Sequence, residues 1–232
     1  MADAVSLHNR VLDAWGMGIV AGAYPPGSRI ALDDGVTTEK ASRTITREAV
    51  RVLESMGLVT VRRRLGAVVN PPERWHAFDP QLIAWRLRGP DTAAQLHHLS
   101  QLRAAVEPAA ARLAAAQAAP EQWAALTEAA ISLVAHSRQA TGAEYLEADI
   151  RFHRALLTAS GNPMFAALGG VVEAVLRGRT EQSLMPSTAN PAALRLHGDI
   201  AAAITAGDGA AAEAASRALV DEADQAVQAI TA

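Results

Sequence analysis

Apolar residues recur at three- and four-residue steps from the start of the chain: Leu7, Val11, Leu12, Trp15 and Ile19 predict a helix over Leu7–Gly22. A Pro25-Pro26-Gly27 turn follows, and the next residues, "SRI", read as a short strand. A short helix is expected within "ALDDGVTTEKA", where the apolar pattern is poor. The pattern is sharpest in "SRTITREAVRVLESMGLV". With Arg43 set at zero on a helical wheel, Arg47 and Arg51 fall at roughly 40° and 80°, while Ile45, Ala49, Val52, Leu53 and Met56 cluster at roughly 180–280°. Ser42 is placed to cap this helix through its hydroxyl, and Gly57 to end it. Two β-like runs in "LVTVRRRLGAVV", turning around Arg62–Gly66, predict a hairpin. From about Asn70 to Pro80 the chain reads as a proline-bearing linker. Beyond it the periodicity is helical throughout, in segments near 80–88, 91–118, 121–140, 143–159, 163–183, 189–206 and 209–230, separated by turn-rich breaks such as "RGPD", "SGNP" and "AGDG".

Three helices and a hairpin, in that order, are the elements of a winged helix-turn-helix. The expected fold is therefore mostly α: an N-terminal winged helix-turn-helix over residues 1–72, a linker at 73–79, and an all-helical antiparallel bundle of six to seven helices over 80–232. Composition agrees. Half the chain is apolar, aromatics make up only 4%, and β-branched runs are short, which favours helix over sheet. The absence of cysteine excludes disulfides and thiolate metal sites.

Charge changes the picture at one place. Net charge is −3, yet residues 39–74 carry eight bases against four acids, +4 in this segment and −7 in the rest. Burying the arginine stripe would be prohibitively costly, so it faces outward. A recognition helix in the major groove presents its N-terminal residues to base edges and phosphates, and arginine serves both through its bidentate fork. Ser42, Arg43, Thr44 and Arg47 occupy that end, and Arg62, Arg63 and Arg64 in the hairpin would form the wing. The competing reading is a solvated helix face with local pairs such as Glu48 to Arg51.

"GAYPPGSRI", "SRTITREAVRVLESMGLV" and "VRRRLGAVV" closely resemble the GntR family of bacterial transcription regulators, in its FadR-type branch. The resemblance implies that Ser42, Arg43 and Arg47 contact operator DNA and that Arg64 and Gly66 lie near the wing tip. The chain departs from the family's pattern just before the recognition helix. "LDDGVTTEKA" is one or two residues short and puts Asp33 and Asp34 where a base is often found, and acids facing phosphate weaken binding.

"QLRAAVEPAAARLAA" and "EADIRFHRALLTASGNPMF" resemble the FCD ligand-sensing domain of the same branch, and "FDPQLIAWRLRGP" is similar to members that respond to sugar acids. Read on their own, Asp149 and His153 stand at i and i+4 on one helical face, a spacing that suits one ion as well as an ordinary exposed pair. His197 lies on a later helix. The resemblance makes Asp149, His153 and His197 metal ligands for Zn²⁺, Ni²⁺ or Mn²⁺. The family's fourth ligand, a histidine, falls on Leu219, which cannot ligate; Glu222, one turn on, is the available substitute. Arg103 can bind an effector carboxylate through its planar fork or pair with Glu107 at i+4. Arg179 and Arg177 are similar candidates. Trp75, Trp85 and Trp123 are expected to pack.

The expected function is a ligand-responsive repressor, not an enzyme. It would bind a palindromic operator as a homodimer and sense a small carboxylate or sugar acid in its helical domain. The alternative is a metal-dependent hydrolase or lyase using the Asp/His/His set, against which stands the lack of a His-Glu-x-x-His helix, nucleophile elbow or phosphate loop. No membrane partner is expected. "MADAVSLHNR" lacks the apolar stretch of a secretion signal, and the uncharged run Ala155–Val172 is broken by "TASGNP", so a cytoplasmic protein is expected.

Overall fold

The computed structural model describes residues 2–30 and 42–231. It divides into two compact units, Met1–Thr92 and Ala93–Ala232. The short helix expected within "ALDDGVTTEKA", with Asp33 and Asp34, lies outside the described residues.

In the first unit, α1 (Ala2–Val20) turns its apolar stripe inward: Val11, Trp15 and Ile19 are buried. The strand β1 (Arg29–Ile30) follows the proline turn. In α2 (Arg43–Ser55), Ser42 is the N-cap and its hydroxyl accepts from the Ile45 amide at 3.4 Å. Ala49, Val50, Leu53 and, just beyond the helix, Met56 are buried, so the apolar face of the wheel is the packed face. Gly57 leaves the helix at φ +76°, and a side chain there would run into the carbonyl oxygen of Arg74. The hairpin β2 (Val59–Arg62) and β3 (Gly66–Val69) completes an antiparallel sheet of order β1–β3–β2, with Val61 opposite Ala67 and Ile30 also opposite Ala67 on the other side.

The stretch expected as a linker is bound into this unit. Asn70 is buried and staples the base of the hairpin: its amide donates to Gly57 O at 2.8 Å, its Oδ1 accepts from Thr60 Oγ1 at 2.9 Å, and its carbonyl accepts from Trp75 Nε1 at 3.1 Å. The helix α3 (Pro80–Leu87), expected in the second domain, also packs here. Leu82 and Trp85 share a core with Val11, Trp15 and Leu53, and Trp85 Nε1 donates to Asp13 at 2.8 Å. The division consequently falls after Thr92 and not at 79, because two large apolar side chains of α3 are buried against α1.

Among the described residues the second unit is a bundle of seven α-helices: α4 (Thr92–Gln117), α5 (Pro120–Ala135), α6 (Ala143–Ala159), the four-residue α7 (Pro163–Ala166), α8 (Gly169–Glu181), α9 (Pro191–Thr205) and α10 (Gly209–Thr231). The segment expected as one helix over 163–183 is broken between α7 and α8, at Ala167–Leu168, just before the Gly169-Gly170 pair that opens α8. Alanines let the helices approach closely: Ala111, Ala114, Ala129, Ala148, Ala201 and Ala212 are buried around Leu126, Leu133, Phe152, Leu156, Ile200 and Ile204. Among the described residues no helix is long and apolar enough to cross a membrane.

Candidate functional site

Two surfaces carry chemistry, one in each unit. On α2, Ser42, Arg43, Thr44, Arg47 and Arg51 are all exposed. Arg51 pairs with Glu48 at 2.5 Å, so the local pair weighed from the sequence exists, and it neutralises the last arginine of the stripe. Arg62, Arg63 and Arg64 are exposed around the hairpin tip, where Arg64 takes φ +69° and Gly66 φ +78°. A cleft of about 290 Å³ between α2 and the hairpin is lined by Arg47, Val50, Arg51, Glu54, Val61, Gly66 and Ala67. The fold thus brings Arg47 and Gly66 to one recess.

In the helical unit, Asp149 and His153 project from α6 and His197 from α9, and all three are buried. One ligand atom from each lies within 4.8 Å of the others. Asp149 Oδ1 stands 3.3 Å from Nε2 of His153 and 3.3 Å from Nε2 of His197. The Nδ1 atoms point away from the aspartate. That of His197 is 2.8 Å from Ala193 O and must donate to it; that of His153 is 3.0 Å from Glu107 Oε2. Each Nε2 is therefore turned toward the aspartate, the outer-shell arrangement that orients metal-ligating histidines. Phe152, fully buried, fixes both rings edge-on, with centroids 5.6 Å from His153 and 4.7 Å from His197.

Two imidazole nitrogens and a carboxylate oxygen converge on one point, and Asp149 Oδ1 and His197 Nε2 are buried without a hydrogen-bond partner. A proton on His153 or a cation relieves the crowding of these atoms, and with both imidazoles deprotonated the donor set fits a divalent metal with one carboxylate and two imidazoles. Burial pushes the Asp149 carboxyl up, but the contacts and charges of His153 and His197 outweigh it and hold the group well below the usual carboxylate range. Burial opposes charge on His153 as well, yet Glu107 raises it to about 9. Glu107, despite its burial, is held down at about 2 by Arg103 and His153.

Arg103 makes the i+4 pair with Glu107 that was weighed from the sequence, and it also lines a cavity. Its Nε donates to Glu107 Oε1 at 2.7 Å, while its NH2 group lies 3.3 Å from His153 Nε2 and faces the same cavity. Arg179, on α8, lines that cavity too; it is buried, and among the described residues its Nε has no hydrogen-bond partner. Burial lowers its affinity for the proton, as does the nearby charge of Arg103. Arg177 lies elsewhere, half-exposed and paired with Glu147 at 2.7 Å and Glu173 at 2.9 Å. The cavity itself measures about 60 Å³ and is also lined by Tyr145, Leu219 and Glu222. Leu219 is buried on its wall, and Glu222 accepts from Asn190 at 2.6 Å, outside the Asp/His/His group. Glu107 behind His153 is the member of this buried cluster whose place beside His153 the sequence did not show. It appeared only as a partner for Arg103, and no spacing signals its contact with another helix.

The FCD domain family model matches residues 98–222. The galactonate operon transcriptional repressor of Escherichia coli (strain K12) is 32% identical over 225 residues, covering 96% of this chain and 97% of that protein. An uncharacterized HTH-type transcriptional regulator of Mycobacterium tuberculosis is 34% identical over 200 residues, covering 84% of this chain and 79% of its own length. Among solved structures, Streptococcus agalactiae GntR superposes with a TM-score of 0.52 at 22% identity, covering 94% of this chain and 99% of that one, a likeness of fold.

Proposed function

Because this chain belongs to the GntR family of transcriptional regulators and carries an FCD domain, we propose that it is a metabolite-released repressor whose effector is a small sugar acid. Family membership makes it a DNA-binding regulator with a small-molecule effector in its helical domain, and sets aside the metal-dependent enzyme weighed from the sequence. In the proposed reading a homodimer binds a palindromic operator. Arg43 and Arg47 with Ser42 and Thr44 enter the major groove, and Arg62, Arg63, Arg64 and Gly66 follow the neighbouring backbone. Asp149, His153 and His197 hold one divalent cation, which supplies positive charge to an anionic effector.

The observation that carries the effector's class is Arg179. A guanidinium buried to 8% exposure, with Nε unpartnered among the described residues, has its desolvation only partly offset by the charges of Asp149 and Glu222, and an anion at Nε completes its contacts. A carboxylate on Arg179 supplies that partner through a two-pronged contact. Tyr145, Asn190 and Glu222 around the same cavity offer hydrogen bonds to hydroxyl groups, which supports a hydroxylated acid over a plain fatty acid. The name of the Escherichia coli relative, which concerns galactonate, points the same way.

The test is a thermal-shift panel of aldonates and unhydroxylated short carboxylates, followed by gel-shift release from operator DNA. Aldonates should raise the melting temperature and release the DNA. Equal shifts from aldonates and unhydroxylated short carboxylates would overturn the sugar-acid reading. Stabilisation without release would overturn release by the effector.

A further inference from the structure

Continued around the α2 wheel, Glu54 falls at roughly 20°, between Arg43 at zero and Arg47 at roughly 40°. An acid on that stripe works against phosphate binding, and its position needs a reason. The structure supplies one. Among the described residues the sheet order β1–β3–β2 leaves β2 at the edge, with one side of its backbone lacking a neighbouring strand. The Val61 amide lies on that side and donates to Glu54 Oε1 at 2.7 Å. Glu54 is exposed and its contact joins the last turn of α2 to the middle of β2. Asn70 fixes the hairpin's base through Gly57 and Thr60, so Glu54 is a second, more distal tie, closer to Arg62–Arg64.

We propose that Glu54 is a positioning residue for DNA binding: its hydrogen bond to the Val61 amide sets the hairpin against α2, so that the helix arginines and the wing arginines meet one duplex together. Ordering the wing before binding spares the entropy of ordering it on DNA. The inference rests on the reading of α2 and the hairpin as the DNA-binding surface.

Electrostatics and positioning give opposite signs, which makes the proposal testable. A duplex is selected from a random pool by the full-length wild-type protein. Affinities of wild type, Glu54→Ala and Glu54→Gln are then measured at two salt concentrations, with backbone footprints and exchange of the Val61 amide. Glu54→Ala removes a negative charge, yet it should bind about tenfold more weakly, with footprint protection lost at the wing and kept at the recognition helix. Glu54→Gln keeps an accepting oxygen and should bind at least as tightly as wild type. If Glu54→Ala binds as well as wild type, or Glu54→Gln falls as far as Glu54→Ala, the proposal is overturned. If wild type selects no duplex, the DNA-binding surface is misassigned and the proposal falls with it. Val61 exchange would then still show whether the tie itself exists: faster only in Glu54→Ala if it does, equal in all three if it does not.

Discussion

Arg103 and His153 meet through the nitrogen that the metal reading requires: a guanidinium NH2 lies 3.3 Å from His153 Nε2. The same arginine is bound to Glu107 at 2.7 Å, and Glu107 backs the other face of the imidazole at 3.0 Å. Arg103 is thus both counter-ion to Glu107 and neighbour to the proposed cation. The two roles oppose each other.

Arg103→Met separates them. Removing one partner of a buried pair leaves Glu107 with His153 as its remaining counter-charge, so the metal-free protein should lose stability in urea unfolding, by up to about 3–5 kcal/mol. Zinc affinity, read by competition with a chelator, should rise, because a repelling positive charge beside Nε2 is gone. Unchanged zinc affinity would mean that the cation does not use His153.

Arg179→Met has the reverse sign on stability. It deletes a buried guanidinium that has no hydrogen-bonded partner at Nε among the described residues, so the effector-free protein should gain about 1–3 kcal/mol. The thermal shift caused by an aldonate should disappear. A variant that still responds to the acid at wild-type concentrations would move the carboxylate anchor from Arg179 to Arg103.

How much of this was legible in the sequence depends on whether local periodicity or chain crossing decides it. The arginine stripe, the Ser42 cap and the hairpin are local, and the structure has them at the expected positions. Asp149 and His153 were visible as an i, i+4 pair, and resemblance added His197; their clustering depends on α6 and α9 lying together. Glu107 was invisible as a partner of His153, because that contact joins α4 to α6 and leaves no spacing signature. The role of Asn70 was not legible, because asparagine before two prolines looks like the start of a linker, whereas its side chain is buried across the hairpin base. Similarly, α3 has the composition of the helices that follow it, and only the burial of Trp85 against α1 assigns it to the first unit.

Gly57 and Gly66 share nearly the same φ, +76° and +78°, but differ in surroundings. A Cβ at Gly66 meets nothing within 4 Å, so Gly66→Ala should cost only the left-handed strain, about 1 kcal/mol. At Gly57 the Cβ meets the Arg74 carbonyl, and backbone must shift as well. Gly57→Ala should therefore lower thermal stability clearly more than Gly66→Ala. Equal losses would show that the Asn70–Arg74 segment yields freely.

Leu219→His tests the metal cluster by addition. Leu219 lines the cavity that holds Asp149, His153 and His197, at the place where the resemblance puts a fourth ligand. A fourth imidazole should tighten zinc binding in chelator competition, while some packing energy is lost around a side chain now 4% exposed. His153→Ala in either background should abolish binding. Elemental analysis finding less than about a tenth of an equivalent of transition metal in the wild-type protein after incubation with zinc or nickel would exclude the three-ligand site.

The surface of α2 is tested by two substitutions on opposite faces. Arg47 is exposed beside the wing cleft, and Arg47→Ala should weaken operator binding by about 1–3 kcal/mol without changing the unfolding midpoint. Leu53 is fully buried among Val11, Trp15 and Trp85, and Leu53→Ala should instead destabilise the fold by about 2–5 kcal/mol. The salt dependence distinguishes the kind of contact that Arg47 makes. A phosphate contact lowers the slope of log affinity against log salt by about one when it is removed; a base contact changes sequence preference instead. Operator affinity unchanged at every salt concentration would reduce the stripe to a solvated helix face, the role that Arg51 already plays through its pair with Glu48.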